Sequence, residues 1–351
     1  TKINAQEYLR EFRALFENIS TFGFDPLKSV VPIDASGTPI NGSHRVACCL
    51  FLGIDIYCIT IEDYPLIDYG IAFFHNRNVN DSMLLRSLFS HYYYVHRGYF
   101  GVVWPSRYEE TIACLNSKNL TYAHVSLKTS FKGIQNLITS IYSREFWVQQ
   151  ATSTDMISIN DKAISVAGAQ RSSPKFSIIY IDTSSKNSIN KLKSDIRATV
   201  GGGKHCLHIS DDEQENSDII KIFDTDKAVE LLSEVSPERL LYFIEKVNDM
   251  SINDDIFVSG SALSYLLGGR KPNDVDFIYK SDNVSSDDHF FEMVKYVPEI
   301  PCRSDLWCYK HHYFGGIGFI NLDLIRKLKI ARDEPKDNID LAVIDQFLLA
   351  S

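Results

Sequence analysis

The sequence predicts a multidomain chain of α/β to α+β class. Its 351 residues exceed what one ordinary core holds and suit two or three domains. Short apolar runs of strand character alternate with stretches of helical periodicity. At 44% hydrophobic and 12% aromatic residues, the composition supports a sizeable buried core and argues against disorder. No Pro/Gly-rich linker or repeat marks the joints. The domains are therefore placed by grouping elements, at residues 1–98, 99–225 and 226–351.

In the first domain, Tyr8, Phe12, Leu15 and Phe16 recur at helical spacing and predict a helix over 6–18. Residues 30–34 read as a short strand, and Ala35-Ser36-Gly37-Thr38-Pro39 as a turn. Asn41-Gly42-Ser43 precedes a helix over 46–52 that stops at Gly53, and 54–61 returns as a strand.

In the second domain, strands are expected at 101–105, 123–127, 176–182 and 206–209. Helices are expected at 108–116, 133–142, 188–200 and 211–223, the last capped by Ser210 or Asp211. The α/β alternation makes this an α/β middle domain.

The third domain opens with Ser236-Pro237-Glu238: a capping serine, proline at the first helical position and an acid in the first turn. Strands follow at 256–258 and 275–279, around a short helix at 262–267 that ends at Gly268-Gly269. Closing helices are expected at 322–331 and 339–349.

A net charge of −9 gives the bulk chain a field that repels nucleic-acid phosphates, which argues against a nucleic-acid partner. The aromatic run from His91 to Arg97 could stack on bases, but it fits a half-buried strand or helix better. No run reaches the roughly 18 apolar residues of a membrane helix, and the first residues are polar. A cytoplasmic protein without a membrane span is therefore expected. The seven cysteines include no CxxC pair, so a zinc ribbon is not expected. Cys308 with His311-His312 lacks a fourth ligand, and Cys48-Cys49 in its apolar run reads as buried thiols.

Three constellations carry chemistry. In the C-terminal region, Gly260 allows close approach of the backbone to phosphates, and Ser261 can donate to a phosphate oxygen at a helix start. Asp274 and Asp276, spaced i, i+2 on an expected strand, would face the same way and share a divalent metal that neutralises a triphosphate. Val258-Ser259-Gly260-Ser261 followed by Asn273-Asp274-Val275-Asp276-Phe277 resembles the nucleotidyltransferase superfamily over about 90 residues. The resemblance implies Mg or Mn at Asp274 and Asp276, and ATP or another nucleoside triphosphate on Gly260 and Ser261. Lys336 or Arg332 would supply counter-charge. The superfamily's usual third carboxylate is not on the expected strand 316–321; Asp323 reads as a first-turn helix acid, and Asp305 is the other candidate.

In the N-terminal region, Arg45 offers a fork to phosphate, Gly42 close backbone approach, and the helix start free N–H groups. Ser43 belongs to the same motif, and His44 could contact phosphate or move a proton. Pro32-Ile33-Asp34 with Asn41-Gly42-Ser43-His44-Arg45 resembles the ParB/sulfiredoxin-like family, which implies nucleotide binding and, in some members, kinase activity. The acid such a kinase needs is open among Glu17, Asp25, Asp34 and Glu62.

In the middle, Arg197, Lys204, His205 and His208 cluster around Gly201-Gly202-Gly203 as an anion-binding loop. Ile196-Arg197 and His208-Ile209-Ser210-Asp211 resemble nucleoside diphosphate kinases, which implies His208 as phospho-accepting nucleophile and Arg197 as phosphate holder. Ile209 stands where that family has glycine, and Trp104 where it has lysine.

The combined expectation is a nucleotide- and divalent-metal-dependent nucleotidyl or phosphoryl transferase. Its partners would be a nucleotide and a small-molecule or glycan acceptor. The alternatives are a ParB-like kinase on a scaffold nucleotidyltransferase fold, and a non-catalytic nucleotide-binding or regulatory protein.

Overall fold

Helices and several small sheets mix along the chain, as the α/β to α+β class requires. The computed structural model describes residues 5–65, 86, 98–118, 120–183, 185–225, 227–247, 255–280, 288–307 and 309–350. The run from His91 to Arg97 and Cys308 lie outside these described residues. The chain divides into two compact units, Thr1–Phe74 and His75–Ser351. The second holds both regions that were grouped above as separate domains.

In the first unit, α1 (Ala5–Phe22) and α2 (Ser43–Leu52) flank β1 (Val31–Ile33) and β2 (Cys58–Thr60), which pair in parallel. Gly53 ends α2 in the left-handed conformation, φ 64°, with its N–H on the last helical carbonyls. Ile19, Cys48 and Cys49 form the buried centre, packed by Phe12, Leu15, Phe16 and Leu52. The two thiols are thus core residues, as their apolar run suggests.

The second unit contains a four-stranded antiparallel sheet of order β4-β5-β3-β6. Its strands are β3 (Tyr99–Val103), β4 (Tyr122–Lys128), β5 (Lys175–Ile181) and β6 (Leu207–Ile209). Helix α3 (Tyr108–Asn116) carries the chain from β3 over β5 to β4, and α7 (Lys186–Val200) carries it from β5 over β3 to β6. This is a split β-α-β arrangement. Between β4 and β5 three helices are inserted: α4 (Phe131–Ile141), α5 (Phe146–Gln149) and α6 (Ile157–Ala167).

Helix α4 joins the two parts of this unit. Every residue from Gly133 to Ile141 is buried. Such all-round burial requires neighbours on every face. They include α6, α8 (Glu213–Phe223), α9 (Ala228–Glu234), α10 (Pro237–Val247) and the strand His312–Phe314. Asn136 donates through Nδ2 to the carbonyls of Leu232 and Val235, both at 2.8 Å, so the buried amide caps the end of α9.

A second sheet has order β8-β7-β10-β9, from β7 (Ile256–Val258), β8 (Phe277–Tyr279), β9 (His312–Phe314) and β10 (Ile317–Phe319). Around it lie α11 (Ala262–Leu266), α12 (Phe290–Tyr296), α13 (Arg303–Trp307), α14 (Leu322–Arg332) and α15 (Pro335–Ala350).

Several expectations are corrected. Strand β8 begins at Phe277, so Asp274 and Asp276 precede the strand instead of sharing one of its faces. Helix α8 is capped by Asp212, whose carboxylate accepts from the Glu215 N–H at 2.8 Å. Ser210 and Asp211 do not cap it: Asp211 is held by Lys193, and Ser210 bonds Asn216. The helices α5, α6, α9, α12 and α13 and strand β9 were not foreseen.

Candidate functional site

Residues from β6, α5, α6, α7 and α8, with Tyr142 just past the end of α4, surround a cleft of about 810 Å³. His208 sits in β6 opposite Val102 of β3, and only 7% of it is exposed. Its Nδ1 lies 3.2 Å from the Tyr142 hydroxyl, at the end of α4. The Tyr142 ring meets the imidazole edge-on, with centroids 5.0 Å apart. On the other side, Glu215 Oε1 is 3.0 Å from Nε2. That is ion-pair distance, but the ring N–H is not aligned for a hydrogen bond, and Nε2 has no hydrogen-bond partner. Glu215 is itself fixed, because its other oxygen accepts from the Asp211 N–H at 2.5 Å. Burial, reinforced by the Glu215 charge, pushes the Tyr142 pKa well up, so its hydroxyl stays protonated.

The cleft's cations divide into two kinds. Lys193 is committed: it donates to Asp211 Oδ1 at 2.6 Å and to the Ser210 carbonyl at 3.2 Å. Burial pulls the Asp211 pKa up, but Lys193 outweighs it and holds that carboxyl below its usual range. Arg197, Lys204 and His205 line the same wall, as the glycine-rich loop predicts. Arg197 donates to the Leu207 carbonyl at 3.3 Å, while its Nε is buried without a partner. Lys162, on α6, also faces the cleft and donates to the Lys204 carbonyl at 3.2 Å. Burial, then the charges of Lys204 and Arg197, push the Lys162 pKa down; burial and Lys162 do the same to His205. Glu145 and Asp161 sit on the exposed rim, where solvent screens them. Trp104 is fully buried.

Sequence reasoning missed Tyr142, Lys162 and Glu215. Glu215 had a signal: Asp212-x-x-Glu215 is a capping-box pattern, with acid at the cap and at the third helical position. Tyr142 and Lys162 had none, because they reach the cleft only through the inserted helices.

The C-terminal constellation is brought together in part. Gly260 adopts φ +66°, and a Cβ there would overlap Asp276 Oδ2, so the Gly260-Ser261 turn and Asp276 touch. Asp276 Oδ1 is 3.2 Å from His289 Nε2, whose Nδ1 is 3.2 Å from Glu292. Burial raises the Asp276 pKa; His289 opposes this, and the charges of Asp274 and Glu292 add to it. Ser261 Oγ accepts from Arg270 at 2.8 Å, and Arg270 also bonds Asp340 at 2.9 Å. Asp340 continues to Lys329 at 2.7 Å, Lys329 to Asp337 at 3.2 Å, and Asp337 to Arg332 at 2.6 Å. Lys329, Asp337 and Asp340 are fully buried. Burial lifts the Asp337 pKa, but Arg332 and Lys329 overcome it and hold the carboxyl at about 2. Lys336 is exposed and pairs with Glu334 at 2.9 Å. Asp323 sits in the first turn of α14, as its position suggests. Among the described residues, no group of three or more His, Cys, Asp or Glu side chains is placed to hold a metal ion.

In the first unit, Gly42 precedes Ser43 in the left-handed conformation, φ +81°. The Arg45 guanidinium folds back over it, with Nη2 at 2.6 Å from where a Cβ would stand. His44 packs edge-on against Phe12 at 5.6 Å. Of the four acids left open, Asp34 is fully buried and accepts from Ser36 Oγ at 2.6 Å and from the Ser36 and Thr38 N–H groups at 2.9 Å.

His311 and His312 are structural. His311 donates to the Leu306 carbonyl at 2.9 Å and accepts from the Asn321 N–H at 3.1 Å. His312 contacts Thr225 Oγ1 at 3.2 Å and accepts from the Leu322 N–H at 3.2 Å. All four ring nitrogens are engaged. Among the described residues, no helix is long and apolar enough to cross a membrane. Compared with protein-family models, curated proteins and solved structures, the chain matches none.

Proposed function

We propose that the protein is a phosphoryl transferase that relays a phosphate from a nucleoside triphosphate through His208 to a small acceptor. The observation that carries this reading is the pairing of His208 with Glu215 and Tyr142 at the wall of a cation-lined cleft. Glu215 beside Nε2 favours the tautomer with hydrogen there, which leaves the Nδ1 lone pair for attack. Nδ1 attacks the terminal phosphorus, the phosphorus–oxygen bond to the leaving diphosphate breaks, and that oxygen keeps the electron pair. Glu215 balances the imidazolium so formed. Tyr142, displaced from Nδ1, donates to a phosphoryl oxygen, and Arg197 offsets its charge. An ionised acceptor oxygen then attacks the phosphorus, and the nitrogen–phosphorus pair returns to Nδ1. Mg or Mn would enter with the substrate phosphates.

The first half-reaction needs no acceptor, so isotope exchange between ATP and labelled ADP tests it directly. Wild-type exchange and its loss in His208→Asn are expected; exchange that survives H208N would overturn the proposal.

A second reading, nucleotidyl transfer at Gly260-Ser261, is favoured by the contact of Gly260 with Asp276. It would make Asp274 and Asp276 the holders of Mg or Mn. Under it, D274N and D276N abolish turnover while H208N spares it.

A further inference from the structure

One consequence of the cleft concerns which phosphate compounds it takes, and it rests on the phosphoryl-transfer reading above. Lys162, Arg197 and Lys204 come from three separate elements: α6, α7 and the short turn after Gly202. Among the described residues, none of the three is within ion-pair distance of a carboxylate, although Glu145, Asp161 and Glu215 line the same cleft, whereas Lys193 in the same wall is neutralised by Asp211. Lys162 and Arg197 are half-buried, and such cations, held near each other and Lys204 with no carboxylate at ion-pair distance, are costly until an anion arrives. The depressed pKa of Lys162 reports that cost: burial, then Lys204 and Arg197, disfavour its charge. The ammonium also lies 5.5 Å from the Tyr142 ring centroid, and Tyr142 touches His208.

We propose that Lys162, supplied by the inserted helix α6, completes a three-cation cradle with Arg197 and Lys204, and that the cleft therefore selects linked phosphates over a single phosphate. Three separated positive groups match the distributed charge of a di- or triphosphate chain, whereas one orthophosphate cannot engage them all.

Calorimetry on the full chain with inorganic tripolyphosphate and with orthophosphate tests this. Tripolyphosphate should bind at least tenfold more tightly, since each charge-assisted contact contributes roughly tenfold in affinity. Lys162→Met should weaken tripolyphosphate by roughly tenfold and leave orthophosphate nearly unchanged, with Lys162→Arg restoring most of the loss. Lys204→Ala, on an exposed turn, should weaken tripolyphosphate severalfold and keeps the test available if K162M does not fold. His208→Asn should retain tripolyphosphate binding. Failure of the phosphohistidine relay alone would therefore leave these results intact. Equal affinity for the two anions, or undiminished tripolyphosphate binding by K162M, or by K204A where K162M does not fold, would overturn the cradle.

Discussion

Two regions of the second unit are rich in charge, and they handle it in opposite ways. Around His208, Lys162 and Arg197 line an open cleft, and among the described residues no carboxylate stands at ion-pair distance from either. Around Gly260-Ser261, charge is consumed internally: Arg270 bridges Ser261 and Asp340, Lys329 bridges Asp340 and Asp337, and Arg332 bridges Asp337 and Glu292. A buried network of mutually bonded charges fixes geometry even though Arg270 Nε is left without a partner, and removing one member is costly. An unmatched cation cluster beside a cavity instead stores affinity for an anion. On the proposed reading, the first region takes the ligand and the second holds position.

The largest effect should come from breaking the open region. His208→Asn should lower ATP–ADP exchange by roughly 10³-fold or more, as for other nucleophile removals, read in the same isotope assay. Next comes the closed region. Asp340→Ala leaves Lys329 buried with half its partners and should cost about 3–5 kcal/mol, measured by denaturant unfolding; a change under 1 kcal/mol would show that the network is not structural. Asp276→Asn should leave exchange within severalfold of wild type, and a collapse to the H208N level would move the chemistry to the Gly260-Ser261 turn. Glu215→Gln keeps shape but removes the charge that balances the imidazolium, and a loss of about tenfold to a hundredfold is expected.

Away from both charged regions, an effect on acid stability is expected. Burial pushes His311 down to about 4 and His312 down to about 3, from the ordinary 6.5. Both folded-state values are depressed, so the unfolded chain binds protons that the folded chain refuses over that interval. Stability should be full above pH 6.5 and fall as pH drops towards 3, read from denaturant midpoints. His312→Gln should flatten the slope, and an unchanged slope would remove His312 as its source.

Much of the middle region was legible from the sequence. Helix α3 matches its expected span, and Arg197, Lys204, His205 and His208, the basic residues grouped around the triple glycine, line one cleft. These signals are local: apolar periodicity, a glycine stop, basic residues close in sequence. Helix α6 was not legible, because Ile157-Ser158-Ile159-Asn160 mixes β-branched and polar residues that resemble a strand, and Ile157 and Ile164 remain exposed. Its burial against α4 is what makes it a helix, and only that packing brings Lys162 to the cleft. The i, i+2 spacing of Asp274 and Asp276 misled for the opposite reason: the pattern fits a strand, but the backbone enters β8 only at Phe277.

The proposed relay puts a covalent phosphate on one imidazole nitrogen. Brief incubation with ATP labelled in its terminal phosphate, followed by alkaline denaturation and peptide mass mapping, reads it directly. A phosphoryl group on the peptide carrying His208, stable to base, released by acid and discharged by ADP, is the expected result. An unlabelled His208 peptide, or label on another residue that ADP discharges, would contradict it.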